Sequence, residues 1–249
     1  MKKIVAVASG KGGVGKSTIC CHLGKALANK VENTILVETD AGLRGLDIFL
    51  NIKDIIYDLG DFLQKNCSIH EIIYKTKYND NLFLIPAPFN FNVNLKYNQL
   101  KNLCDELKEN FDNIIFDLKA GIEIALEIKD IVDFFLIVVT PDAVCVRDAA
   151  LFTKFLQTEE KNSTKYRLII NKIKKNFRKS SPFKTLDDII DETKLQLIGA
   201  IPYEKEIEIK TQTGKDLKFN TVSFKVFKAV ANRLNNEYAQ LIVRRGFKI

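Results

Sequence analysis

The stretch SGKGGVGKST, residues 9–18, restricts the fold of this chain more than any other. It contains a glycine, any four residues, and then glycine, lysine and serine, and an apolar run at 4–8 precedes it. Apolar side chains follow at helical spacing, at Ile19, Leu23, Ala26 and Leu27. A strand, a glycine-rich loop and a helix in this order are typical of a phosphate-binding loop. The alternative is a glycine-rich turn that binds nothing.

The ligand expected for this loop is a nucleoside triphosphate. Glycines let the backbone turn consecutive N–H groups toward phosphates, and the helix that follows adds the positive end of its dipole. We predict that Lys16 contacts the β and γ phosphates, that the Ser17 hydroxyl binds Mg²⁺, and that Thr18 supports the α phosphate. The other nucleotide-binding residues predicted in the loop are Gly10, Gly12, Gly13, Val14 and Gly15.

Short apolar runs alternate with helical segments along the rest of the chain. This alternation predicts a doubly wound α/β fold with a mainly parallel sheet, covered on both faces because the strands are almost continuously apolar. Strands are predicted at 4–8, 34–37, 82–85, 113–116, 134–139, 167–170 and 195–198. Besides the helix after the loop, helices are predicted at 95–109, 144–156, 186–193 and 223–241.

Length and composition fit one domain over residues 1–249, since 46% of the residues are hydrophobic. The five cysteines form no C-x-x-C pair, and no apolar run is long enough to span a bilayer, so we expect a cytoplasmic protein without disulfides. Cys20 and Cys21 are adjacent on the first helix, and only one of them is expected to face the core. His22 and His70 show no metal-ligand spacing.

The formal net charge of +7 raises the question of an anionic partner. Lysine is abundant throughout the chain, so much of this charge reflects composition. The densest basic stretch is KIKKNFRK at 172–179, which follows a predicted strand. Two interpretations remain open, a solvated loop and a patch that binds anions.

Asp117 follows the apolar run 113–116, at the end of a predicted strand. In a parallel sheet the ligand lies beyond the carboxyl ends of the strands, which is where a Walker B acid binds Mg²⁺ directly or through water. A strand-end aspartate can also be a simple helix cap. The phosphate loop elsewhere in the chain favours the metal-binding interpretation.

Four motifs together resemble one family. KGGVGKST at 11–18 is the deviant Walker A sequence, and DAGLRGLD at 40–47, AGIE at 120–123 and TPDAVCVRDA at 140–149 accompany it in order. Over about residues 2–210 the chain resembles the MinD/ParA family of P-loop ATPases, and the MinD group within it most closely. The DPQG pattern typical of ParA proteins is absent, and the FlhG group is difficult to separate from MinD by motif alone.

This resemblance implies an ATPase that uses ATP and Mg²⁺ and forms a homodimer with ATP. It implies that Lys11 reaches the phosphates bound to the partner subunit, so that Lys11, Lys16 and Asp40 are the catalytic residues. Asp40 would orient the attacking water. Ser17 and Asp117 would bind Mg²⁺, and Asn171 would contact the adenine.

The resemblance also implies a spatial switch in division-site placement, with slow hydrolysis that a protein partner stimulates. Reversible peripheral attachment to the inner face of the cell membrane would use the C-terminal tail, 243–249, which we expect to be mobile. The alternative is a FlhG-like or ParA-like ATPase acting on a polar protein partner or on DNA, with nucleic acid the less favoured ligand. Two positions depart from the family: Glu38 replaces an aspartate and Lys119 replaces a proline, which puts the hydrolysis rate in question.

Overall fold

The computed structural model describes residues 2–90, 93–158, 163–218 and 220–243. The strands are β1 (Lys3–Ala8), β2 (Thr34–Glu38), β3 (Tyr74–Lys75), β4 (Leu82–Ile85), β5 (Asn113–Asp117), β6 (Phe134–Val139), β7 (Tyr166–Ile173) and β8 (Gln196–Pro202). The α-helices are α1 (Lys16–Ala28), α2 (Leu46–Phe49), α3 (Leu59–Leu63), α4 (Tyr97–Leu107), α5 (Glu123–Ile128), α6 (Ala143–Leu156), α7 (Phe177–Ser180), α8 (Leu186–Thr193), α9 (Lys205–Gln212) and α10 (Val222–Leu234). Short 3₁₀ helices occupy Ile69–Ile72 and Ser163–Lys165.

The strands of the described residues form one sheet in the order β3-β4-β2-β5-β1-β6-β7-β8. All neighbouring pairs are parallel except β3 with β4. The chain moves outward from β1 in one direction through β2 and β4, then crosses to the other side through β6, β7 and β8. The predicted doubly wound, mainly parallel fold is confirmed, and the strand order reverses beside β1, where ligands bind in such folds.

Helix α1 lies deep in the protein because it packs on the sheet and also against α10, which itself packs on β8. Every residue from Ile19 to Ala28 is buried. The expectation that only one of Cys20 and Cys21 faces the core was wrong, because both are completely buried between the sheet and the other helices. All five cysteines are free thiols.

His22 on α1 is buried as a neutral side chain. Its Nε2 lies 2.8 Å from the hydroxyl of Thr211, and its ring centroid is 5.2 Å from that of Phe227. The Thr211 hydroxyl already donates to the Ile207 carbonyl, so its oxygen must accept the hydrogen of His22 Nε2. Burial lowers the pKa of His22 to about 3.

The final helix is shorter than the predicted 223–241. It begins at Val222, where the Thr221 side chain accepts a hydrogen bond from the Phe224 N–H, and it ends at Leu234. Asn236 has φ +58°, a left-handed conformation that asparagine tolerates and that stops the helix. The predicted helical continuation through Tyr238 was therefore wrong, and Tyr238 is 93% exposed. Val243 is the last described residue, so 244–249 of the predicted tail lie outside the described part of the chain.

Candidate nucleotide-binding site

The glycine-rich loop connects β1 to α1, as the sequence predicts. Gly13 and Gly15 have φ of +75° and +99°, which other residues adopt only with strain. Gly15 is the N-cap of α1, and its carbonyl accepts the first helical hydrogen bond from Ile19 at 3.0 Å. The Ser9 hydroxyl donates to the Lys11 carbonyl at 2.7 Å and closes the start of the loop.

Two consecutive residues near the end of β7 donate hydrogen bonds to carbonyls of this loop. Asn171 Nδ2 donates to the Val14 carbonyl at 2.8 Å, and Lys172 Nζ donates to the Gly13 carbonyl at 2.7 Å. The C=O and N–H of a trans peptide point in opposite directions. With those two carbonyls directed toward Asn171 and Lys172, the N–H groups of Val14 and Gly15 both point away from these two side chains, and consecutive N–H groups on one side of a loop can bind a phosphate.

Two carboxylates lie at the neighbouring strand ends. Asp117 at the end of β5 is 3% exposed, and burial raises its pKa to about 6, although Ser17 and Lys16 oppose the rise. Asp40 follows β2 and is one of the acids whose proximity raises the pKa of Asp117. Within the described residues, Oδ1 of each aspartate is buried without a hydrogen-bond partner. The unpaired Asp117 oxygen and the neighbouring Ser17 hydroxyl are ligands of the kind that Mg²⁺ takes.

A cleft of about 610 Å³ opens between the loop and the end of β8. Its lining includes the predicted residues Gly12, Gly13, Gly15, Lys16, Ser17, Thr18, Asp40 and Asn171. The other predicted residues support it from outside: Val14 is buried, Asp117 lies beneath Ser17, and a Cβ on Gly10 would lie 3.1 Å from the Asp148 carbonyl oxygen. The opposite wall was not predicted as part of the site, and its residues are Pro202, Tyr203, Glu204, Ile207, Glu208, Thr211 and Gln212.

The comparisons with known proteins agree with this arrangement. The profile of the CobQ/CobB/MinD/ParA nucleotide binding domain matches residues 5–217. The chain belongs to the MinD/ParA family. The septum site-determining protein MinD of Bacillus subtilis is 34% identical over 252 aligned residues, which cover 98% of this chain and 92% of that protein.

Solved structures of the MinD/ParA family have the same fold. A chain of the MinC:MinD cell division protein complex from Aquifex aeolicus superposes with a TM-score of 0.84 at 30% identity, covering 96% of this chain and 98% of that chain. MinD of Pyrococcus horikoshii, solved with Mg-ADP, gives 0.82 at 22% identity, covering 94% and 96%. Members of the MinD/ParA family are P-loop ATPases. Family membership therefore supports ATPase activity in general for this chain.

The lysine typical of the MinD/ParA family, Lys11, lies at the surface beside the cleft. Its Nζ is 3.5 Å from Asp142 Oδ1, and the two side chains are 46% and 45% exposed. A pair this long and this exposed contributes little to stability. Lys11 is therefore held only weakly within its own subunit.

Both departures from the MinD/ParA pattern form hydrogen bonds with the loops around the cleft. Glu38 is buried, and its carboxylate accepts from the N–H groups of Gly45 and Leu46, at 2.7 and 3.1 Å. Burial raises the pKa of Glu38 to about 7, and those hydrogen bonds oppose the rise. The Lys119 N–H donates to the Thr39 hydroxyl at 3.1 Å, a bond that a proline could not make.

The search for membrane-spanning segments covered the described residues. None of the helices there is both long enough and apolar enough to cross a bilayer.

Proposed function

We propose that this chain is a MinD-like ATPase that dimerises with ATP and acts as a spatial switch in division-site placement. The similarity to MinD proteins over nearly the full length of the chain is the observation that carries this proposal. Residues 1–249 would act as one ATPase domain. The protein would be cytoplasmic and would attach peripherally to the inner face of the cell membrane.

We propose the following roles within one subunit. The N–H groups of the phosphate loop and the Lys16 ammonium would bind the ATP phosphates, and Ser17 with Asp117 would hold Mg²⁺. Bound Mg²⁺ would neutralise charge on the β and γ phosphates. Asp40, whose Oδ1 is buried and unpaired, would orient the attacking water. Asn171 Nδ2 donates one of its two N–H groups to the Val14 carbonyl, and the second N–H would contact the adenine.

We propose that Lys11 acts in the partner subunit. Its weak contact with Asp142 could be exchanged for the partner's phosphates at little cost, because the pair is half exposed. A cation supplied from a second chain would stabilise charge in the transition state as an arginine finger does. Dimerisation would then depend on the γ phosphate, and hydrolysis would be slow until a protein partner stimulates it. The Aquifex aeolicus relative, solved as a complex with MinC, supports a protein partner of this kind.

Membrane attachment would depend on the tail at 243–249. The sequence RRGFKI at 244–249 contains three cations and two large apolar residues. Each cation near an anionic leaflet contributes roughly 1 kcal/mol, and each buried apolar side chain at most roughly 2 kcal/mol, before ordering costs. One tail would bind weakly, whereas a dimer presents two, and avidity can raise the apparent affinity by about a hundredfold. Attachment would then follow ATP occupancy.

A second candidate is a FlhG-like or ParA-like ATPase that acts on a polar protein partner or on DNA. The observation that favours it is the basic stretch 172–179, which continues from β7 into α7. All five of its cationic side chains are exposed, and the first of them also lines the cleft: Lys172, Lys174, Lys175, Arg178 and Lys179. Such a surface would bind phosphates of DNA in a salt-dependent way.

Sedimentation with anionic liposomes tests the two candidates against each other. We expect the protein to sediment with ATP and much less with ADP, and deletion of 244–249 to abolish sedimentation without affecting ATP-dependent dimerisation. Equal sedimentation with both nucleotides, or none with either, would reject membrane attachment. A salt-sensitive mobility shift of DNA, lost when Lys174, Lys175, Arg178 and Lys179 are replaced by glutamine, would favour the second candidate.

A further inference from the structure

The Glu38 side chain connects the two ends of the loop that contains Asp40. Glu38 is the last residue of β2, and Asp40 lies two residues later in the chain. The Glu38 carboxylate accepts the N–H groups of Gly45 and Leu46 through a single oxygen, Oε1. Its other oxygen, Oε2, lies 3.5 Å from the Ala87 nitrogen at the end of β4. The carboxylate therefore faces backbone donors on both sides.

The loop between these ends is also bound to β5 and to the segment that follows β4. At its start, the Thr39 N–H and hydroxyl both donate to the Asp117 carbonyl, at 3.1 and 2.9 Å. In its middle, the Gly42 N–H donates to the Pro88 carbonyl at 2.8 Å. Asp40 lies between Thr39 and Gly42. Asp40 therefore belongs to a short segment whose backbone is hydrogen-bonded on both sides of it. Glu38 connects the far end of this segment to the end of β2.

We propose that Glu38 is a positioning residue that sets the location of Asp40 by tethering residues 45 and 46 to the end of β2. The inference rests on the proposed function, in which Asp40 orients water for ATP hydrolysis. Glu38 is not among the residues that line the cleft, and it acts through the backbone of residues 45 and 46 that it holds.

The length of the side chain is essential to this role. An aspartate at 38 would withdraw the carboxylate by one carbon–carbon bond, about 1.5 Å. The 2.7 Å contact with the Gly45 nitrogen would then become roughly 4 Å, beyond hydrogen-bonding distance. A buried carboxylate without its donors is costly, so the loop would have to move toward the shorter side chain. Such a movement changes where Asp40 lies.

The test compares Glu38→Asp, which keeps the charge and loses the reach, with Glu38→Gln, which keeps the reach and loses the charge. Amide hydrogen exchange at 45 and 46 reports the tether directly. In Glu38→Asp we expect these amides to exchange about tenfold faster or more, kcat for ATP hydrolysis to fall by about 10- to 100-fold, and the Kd for ATP to change by less than about threefold. In Glu38→Gln the amide oxygen can still accept both N–H groups of residues 45 and 46, and only the long 3.5 Å contact with the Ala87 nitrogen is lost. Exchange at 45 and 46, kcat and the Kd for ATP should therefore each change by less than about threefold.

The outcomes separate the tether from the catalytic role. Equal loss of kcat in both variants would show that the charge matters and not the reach, and would overturn the proposal. Unchanged exchange at 45 and 46 in folded Glu38→Asp would overturn the proposal. Unprotected amides at 45 and 46 in the unmodified protein would overturn it without any variant. Faster exchange with unchanged kcat would reject the positioning of Asp40. Asp40→Ala is measured in parallel, and normal hydrolysis by that variant would instead refute the proposed function of Asp40.

Discussion

Replacing Gly15 with alanine tests whether the shape of the phosphate loop depends on the end of β7. Gly15 has φ +99°, and a Cβ at this position would lie 2.5 Å from Asn171 Nδ2. No real Cβ contact is that short, so Asn171 must give way. Its hydrogen bond to the Val14 carbonyl, 2.8 Å in the present structure, would be lost or distorted.

The destabilisation is the sum of two effects. A non-glycine residue in the left-handed region costs about 1–2 kcal/mol, and loss of a typical hydrogen bond costs about 0.5–1.5 kcal/mol. Together they lower the free energy of unfolding by about 1.5–3.5 kcal/mol, which for a chain of this size lowers Tm by about 3–14 °C. The loop would also lose its preformed shape, so its affinity for ATP should fall as well.

Gly12→Ala is the matched control in the same loop. Gly12 does not have a positive φ, and a Cβ there would have no atom within 4 Å. Thermal unfolding followed by circular dichroism in the absence of nucleotide should therefore show a clear loss for Gly15→Ala and a change below about 0.5 kcal/mol for Gly12→Ala. Equal Tm values for the two variants would refute the reasoning from φ and from the Asn171 contact.

Other changes test the remaining roles. Lys16→Ala should greatly weaken ATP binding in calorimetry, because the β and γ phosphates lose a direct cation. In analytical ultracentrifugation with a slowly hydrolysed analogue, Lys11→Ala should bind the analogue but remain monomeric. Asp40→Ala should form a dimer that persists with ATP, since only water positioning is lost. In the folded protein His22 has a pKa of about 3 and stays neutral. In the unfolded chain its pKa returns to about 6.5, so the imidazole gains a proton below that pH. Stability should therefore fall with decreasing pH in this window, and the difference between the unmodified protein and His22→Gln should shrink by about 2 kcal/mol between pH 7.5 and 5.

The features that the sequence predicts well depend on neighbouring residues. The strand, loop and helix around Gly15 are specified within about 25 consecutive positions, and the buried parallel strands are visible as apolar runs. β3 was not predicted, because a two-residue antiparallel edge strand leaves no periodic pattern. α9 was not predicted either, because its buried face consists mainly of Ile207 and Thr211.

The features that the sequence predicts poorly depend on contacts between distant positions. The bond from Lys172 to Gly13 spans 159 residues, and the contact between His22 and Thr211 spans 189. Neither pair has a motif of its own. Because α9 is placed by such contacts, the cleft wall from Pro202 to Gln212 could be located only from the structure. Its glutamates, glutamine and threonine are residue types that occur on any exposed helix.

The two departures from the family show why residue type alone misjudges a site. Lengthening an aspartate to Glu38 suggests a displaced contact near Mg²⁺, and replacing a proline with Lys119 suggests the loss of a rigid turn. In the structure the Glu38 carboxylate accepts the N–H groups of Gly45 and Leu46, and the Lys119 N–H donates to the Thr39 hydroxyl. Thr39 donates in turn to the Asp117 carbonyl, so the loops after β2 and β5 share one hydrogen-bond network. Both substitutions therefore add hydrogen bonds to the backbone at the edge of the sheet where Asp40 and Asp117 lie. Their effect on hydrolysis depends on which groups these bonds join, and the spacing of residues in the sequence does not determine that.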